Sequence, residues 1–132
     1  MKYFNNNFYV EKKSLKSLTT KYGTPLYCYS YKKLKDNIDK FKDIFKQISP
    51  LICFSVKSNS NVSLLKEMKK KGLGADVVSK GELYAALKAG INKNKIVFSG
   101  VGKTMEELEY AINKNILLIN SESLSEVLTI EK

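Results

Sequence analysis

From Leu51 onward the chain keeps a fixed rhythm. Short apolar runs centred near positions 53, 76, 97 and 118 recur 23, 21 and 21 residues apart, and each is followed by a segment with helical signals. Leu51–Val56, Ala75–Val78, Ile96–Phe98 and Leu117–Ile119 are continuous rather than alternating, which predicts parallel strands buried on both faces. Between them lie a helix from about Asn61 to Lys71 ending at Gly72, and a second opened by the capping box Ser79-Lys80-Gly81-Glu82 and closed at Gly90. A third helix opens at Thr104-Met105-Glu106-Glu107 and a fourth at Ser123-Leu124-Ser125-Glu126. Repeated β-α units with short links leave two architectures, a doubly wound sheet and a (β/α)8 barrel. The even spacing favours the barrel. A whole barrel takes about 250 residues, so 132 residues reads as a chain cut short, with two unpaired sheet edges and an expectation of aggregation and inactivity in isolation.

Upstream, residues 31–48 place Leu34, Ile38, Phe41, Ile44, Phe45 and Ile48 on one stripe, with Ser30 as N-cap and Pro50 as stop, which predicts an amphipathic helix. Thr24-Pro25-Leu26-Tyr27-Cys28-Tyr29 reads as a short β-rich run. The first twenty or so residues fit no β-α rhythm. No apolar stretch has signal-peptide or membrane-span length, which points to a cytoplasmic protein.

Composition closes several chemistries for this segment. All 23 basic residues are Lys; Arg, His and Trp are absent. A Ser-His-Asp or Cys-His nucleophile pair, imidazole zinc ligation and bidentate Arg recognition are therefore ruled out within it. Two cysteines, Cys28 and Cys53, cannot make a four-thiolate site, and their apolar surroundings predict buried, inert thiols. The net charge of +10 falls unevenly, +9 over residues 1–66 and +1 over 67–132. A nucleic-acid surface would use such an excess, but the lysines fall on polar helix faces without interleaved aromatics. Eleven Asn beside them suggest a coding bias and a solvated surface.

In either architecture reactive groups gather at the C-terminal ends of parallel strands. Lys57 follows Ile52–Val56 directly, so its amine emerges at a strand mouth over apolar walls. Desolvation there would favour the neutral amine that Schiff-base formation needs. Asp76 lies inside an apolar strand, and a partner such as Lys57 or another mouth lysine would explain it. Glu82 is accounted for by its capping box. Ser99-Gly100-Val101-Gly102-Lys103-Thr104 ends like a P-loop, but Val97 stands where that pattern needs its first glycine, and the loop is too short to wrap a triphosphate. Its glycines still leave N–H groups at a helix N-terminus, a general anion-favouring arrangement.

Four segments in order, Tyr22-Gly23-Thr24-Pro25-Leu26-Tyr27, Phe54-Ser55-Val56-Lys57-Ser58-Asn59, Gly74–Leu83 and Ile96–Thr104, resemble the diaminopimelate decarboxylase branch of the pyridoxal-phosphate enzymes with an alanine-racemase-like barrel. Ornithine and arginine decarboxylases belong to the same group. The resemblance runs from about Tyr22 to Glu126, and Phe98–Thr104 is its most discriminating part. It implies a partial (β/α)8 barrel over residues 30–132, the first four β-α units, with residues 1–29 contributing to a β-domain. It implies pyridoxal 5'-phosphate held by Lys57, with Asp76 beside the cofactor, and decarboxylation of meso-2,6-diaminopimelate to L-lysine. A small amino-acid substrate, no nucleic acid or membrane partner, and a homodimer go with it. The family's phosphate loop, the acid at the pyridine nitrogen and the substrate-carboxylate groups would lie beyond position 132. The alternatives it leaves are another decarboxylase or racemase of the group, or a non-catalytic cofactor-binding barrel protein.

Overall fold

The computed structural model describes residues 2–4 and 6–132; Met1 and Asn5, both in the segment assigned to a β-domain, lie outside the described residues. Two compact units divide the chain, Met1–Ile48 and Ser49–Lys132.

In the first unit, β1 (Lys2–Phe4), β2 (Asn7–Val10) and β3 (Lys13–Ser14) form an antiparallel sheet in that order. Its inner turn runs through Glu11, held at φ 57°. Ser14 ends the sheet and caps α1 (Leu15–Tyr22) by accepting from Ser17 N. The run Thr24–Tyr29 is irregular rather than a strand. Its β-rich composition finds no ladder to join, and β-propensity acts through such neighbours. Helix α2 (Tyr31–Ile44) starts as predicted, with Ser30 accepting from Lys33 N at 3.1 Å. A second cap comes from afar: Glu11 Oε1 accepts from Lys32 N at 2.7 Å and from Ser30 Oγ at 3.0 Å. The Lys32 amide above all holds the Glu11 carboxyl below its ordinary value. The helix stops at Ile44, short of Ile48, and Ser49 turns to φ 44° before Pro50. A residue preceding proline is pushed out of the α region, so the helix must unwind upstream.

The second unit carries the repeats. Strands β4 (Cys53–Ser55), β5 (Gly74–Val77), β6 (Ile96–Phe98) and β7 (Leu118–Ile119) form a four-stranded parallel sheet in sequence order. Helices α3 (Val62–Lys70), α4 (Lys80–Lys88), α5 (Met105–Lys114) and α6 (Leu124–Glu131) alternate with them. Registers place Ser55, Asp76, Val97 and Leu118 side by side on one face. The other face bears Ala75, Val77, Ile96 and Phe98, all fully buried against Leu65 of α3, Leu83 and Ala86 of α4 and Ala111 of α5. So the helices of this chain cover one face only, as in a barrel, whose strands bury their other face in the interior. The reason is topological. Right-handed crossovers that always step in the same direction deliver every helix to the same side. A doubly wound sheet reverses direction and receives helices on both, so this winding is that of a barrel segment.

Candidate active site at the strand exits

The C-terminal ends of β4 to β7 form one rim, and each sequence-predicted group sits on it or just below. Strand β4 passes into a single 3₁₀ turn, Val56–Ser58. Asn59 N donates to Val56 O at 2.9 Å and Ser58 Oγ to Ser55 O at 2.7 Å, which pins the turn. Val56 is fully buried beneath it, whereas Lys57 is exposed. The expected desolvation of its amine is thus corrected: the tight turn spends its inward position on Val56 and leaves Lys57 accessible.

Asp76 occupies the open face of β5. Its Oδ2 accepts from Ser55 Oγ at 3.4 Å, and its Oδ1 is buried with no hydrogen-bond partner among the described residues. The partner is a hydroxyl of the neighbouring strand and not the expected lysine. A carboxylate oxygen left buried and unpaired is costly, and it is a ready acceptor for a donor brought into the site. Close by, the Cys53 thiol donates weakly to Lys95 O at 3.8 Å. Burial first, and the Asp76 charge second, push its ionisation above the ordinary thiol value. Both Cys28 and Cys53 are free and half-buried, so the expectation of full burial is corrected.

Glu82 behaves differently from a plain capping box. Ser79 Oγ accepts from Glu82 N at 3.2 Å, but the Glu82 carboxylate accepts from Val78 N at 2.9 Å, one residue before the cap. It therefore closes the turn that leaves β5 two residues after Asp76. The loop after β6, rejected as a P-loop from its spacing, puts its lysine to another use. Lys103, the residue a P-loop would offer to phosphate, is turned inward with its side chain 1% exposed. Its Nζ donates to Gly100 O, Asn120 O and Glu126 Oε1, each at 2.7 Å. That bond from Lys103 chiefly holds the Glu126 carboxyl below its ordinary value. Ser99 and Asn120, one from each strand exit, join through Asn120 Nδ2 to Ser99 Oγ at 2.9 Å. None of Ser55, Ser99, Asn120 or Glu126 was singled out as a site group from sequence. Only their position directly after or at the end of a strand, or in a cap, marked them.

An accessible primary amine at the first strand exit and a carboxylate with an orphan oxygen on the adjoining strand suit a cofactor that carries an aldehyde and polar ring substituents. Residues 31–132 match the model of the pyridoxal-dependent decarboxylases, pyridoxal binding domain. Diaminopimelate decarboxylase of Helicobacter pylori strain J99 is 50% identical over 110 residues, covering 83% of this chain and 27% of its own. The Aquifex aeolicus enzyme of the same name is 43% identical over 127 residues, covering 96% of this chain and 30% of its own. A solved diaminopimelate decarboxylase from M. jannaschii in co-complex with L-lysine superposes with a TM-score of 0.91 at 35% identity, over 96% of this chain and 30% of that one. The chain thus spans under a third of the relatives it matches, and the part it spans holds the strand exits with Lys57 and Asp76. With a one-sided parallel sheet, an amine at its first exit and a family match across residues 31–132, the chain belongs to the pyridoxal-dependent decarboxylases through their pyridoxal-binding domain.

Proposed function

We propose that the protein carrying this chain decarboxylates meso-2,6-diaminopimelate to L-lysine and CO2, with Lys57 as the residue bonded to pyridoxal 5'-phosphate and Asp76 as a cofactor contact. The observation that carries the reading is the 43–50% identity to relatives named diaminopimelate decarboxylase across the region that presents Lys57 at a strand exit. The cofactor, when bound, supplies an electron sink for the electron pair left as CO2 departs.

This chain's own residues do the rest. Lys57, exposed on its pinned turn, can yield its place to the substrate amine and return afterwards without dragging buried structure with it. Its free Nζ can carry a proton to or from the reacting carbon. Asp76 offers Oδ1 to a donor at the floor of the rim, and its charge favours a protonated group there. Ser55 holds Asp76 Oδ2 and so orients the carboxylate. Glu82 and the Lys103 cluster fix the loops on either side.

The domain reading follows the same line: residues 30–132 as the first half of a barrel and residues 1–29 as part of a β-domain, supported by the antiparallel sheet of β1 to β3. A homodimeric enzyme in the cytoplasm completes it.

The test uses the intact protein loaded with pyridoxal phosphate. Lysine and CO2 should form from meso-2,6-diaminopimelate, and Lys57→Ala should lose both turnover and the visible absorbance of the lysine-bound cofactor. Turnover of ornithine or arginine instead would assign the other branch of the group. Unaltered absorbance in Lys57→Ala would overturn the role of Lys57.

A further inference from the structure

We propose that Lys103 is a positioning residue, whose buried amine ties the loops after β6 and β7 to α6 and thereby fixes the floor beside Asp76. The inference rests on the reading above for its catalytic consequence, but its geometric part stands without it.

An ammonium removed from water is costly unless each N–H finds an acceptor. Lys103 has three N–H groups and meets three acceptors at 2.7 Å: Gly100 O, Asn120 O and Glu126 Oε1. The side chains of the ion pair are 1% and 9% exposed. Stability alone does not call for this arrangement, since apolar residues of similar volume serve as well as a buried pair or better. What apolar residues cannot do is hold two carbonyls from two different strand exits on one atom.

Those carbonyls lead to the site. Asn120 N donates to Phe98 O at 2.8 Å, and Asn120 Nδ2 to Ser99 Oγ at 2.9 Å. Ser99 N in turn donates to Val77 O at 2.8 Å, and Val77 follows Asp76 in β5. Gly100, at φ 96°, lies so close to Val78 that a Cβ would stand 3.4 Å from that of Val78. A shift of the amine therefore moves the peptide next to the orphan carboxylate through bonded contacts at every step. With all three donors engaged inside the protein, the Lys103 amine has none left for a phosphate.

Lys103→Met alone strands a buried carboxylate and can unfold the protein, so the informative variant is Lys103→Met/Glu126→Leu in the intact protein. Amide hydrogen exchange should quicken at least about 10-fold in residues 99–103 and 120–122 while 74–77 and 96–98 keep their protection. The variant should retain the cofactor's absorbance and substrate KM within about threefold and lose kcat by about 10- to 100-fold, the scale of a displacement near 1 Å. Glu126→Gln removes the counter-charge but keeps both carbonyl bonds and an amide oxygen for Nζ, so exchange in the two loops should rise clearly less than in the double variant. Loops that stay protected in the double variant, or that open equally in Glu126→Gln, overturn the proposal. Should the double variant not fold, Lys103→Met/Glu126→Gln, which leaves no buried charge and keeps a polar group at 126, takes its place under the same criteria. A wild-type protein without diaminopimelate turnover sinks the proposed function, whereas the exchange measurement needs no substrate and still judges Lys103.

Discussion

Gly74 opens β5 where the chain has no room for a side chain. A Cβ there would stand 2.1 Å from Lys95 O and 2.8 Å from Cys53 Sγ, against an ordinary contact that begins at 3.4 Å. The thiol could rotate away, but the carbonyl cannot. Lys95 closes the 3₁₀ turn Lys93–Lys95, its N–H donates to Asn92 O at 2.8 Å, and β6 begins at the next residue. On the opposite side Gly74 N donates to Ile52 O at 2.9 Å. Gly74→Ala must therefore push β5 and β6 apart at their first rung by more than 1 Å. Overpacking costs about 1–3 kcal/mol, and two disrupted ladder bonds add about 1 kcal/mol each, so we expect about 3–5 kcal/mol. At about 2–4 °C per kcal/mol for a domain of larger size, the Tm of the intact protein should fall by about 6–20 °C in a thermal melt. Adding Cys53→Ala should not restore it, because the carbonyl contact remains. A Gly74→Ala protein that melts within about 2 °C of wild type, or a double variant that recovers, would refute the reasoning.

Two further perturbations test the loops around the rim. Thr104→Ala removes the hydroxyl that accepts from Glu107 N and donates to Glu107 Oε2; urea unfolding should show a loss of about 1 kcal/mol, largely restored by Thr104→Ser. Acid should weaken the protein partly through Glu126, whose carboxyl the Lys103 bond holds below the ordinary value of 4.5. A depressed folded-state value means the stabilisation is whole above about pH 4.5 and is lost as pH falls through the lower folded value. Melting temperatures followed from pH 6 downward should therefore decline less steeply in Glu126→Gln; equal slopes would exclude Glu126 as a contributor.

The repeats were legible because their signals are local. Ser79, Thr104 and Ser123 each accept from the amide three residues on, as the cap spacing predicts, and Thr104 with Glu107 completes the full reciprocal box. Strand limits were less legible. Leu51–Val56 reads as six strand residues, but only Cys53–Ser55 pair, since β5 offers partners from Gly74 to Asp76 and the chain then tightens into the 3₁₀ turn. The sheet of β1 to β3 carried no readable period because its strands are two to four residues long and the first two flank a run of Asn. Glu11 as a distant cap on α2 depends on a turn at φ 57° that no pattern announces. Its contact spans 21 residues.

The site divides along the same line. Position after a strand is a sequence property, so Lys57 and Asp76 could be picked out among 23 lysines and 13 acids. What each polar group touches is a property of the folded sheet, and there the reading turned. Lys57 was expected to be desolvated and stands exposed; Lys103, placed in a loop rejected as a P-loop and given no partner from sequence, is sealed inside. The contrast fits the two proposed roles. A covalent anchor would have to reach a cofactor and move during turnover, which burial would oppose, whereas a tether between loops would work by having no freedom left. A tether of this kind also needs acceptors from several elements at once, and a parallel sheet brings neighbouring strand exits together along a single rim. The basic excess of the chain therefore says little about function, while the burial of individual amines separates Lys57, proposed to react, from Lys103, proposed to hold its surroundings still.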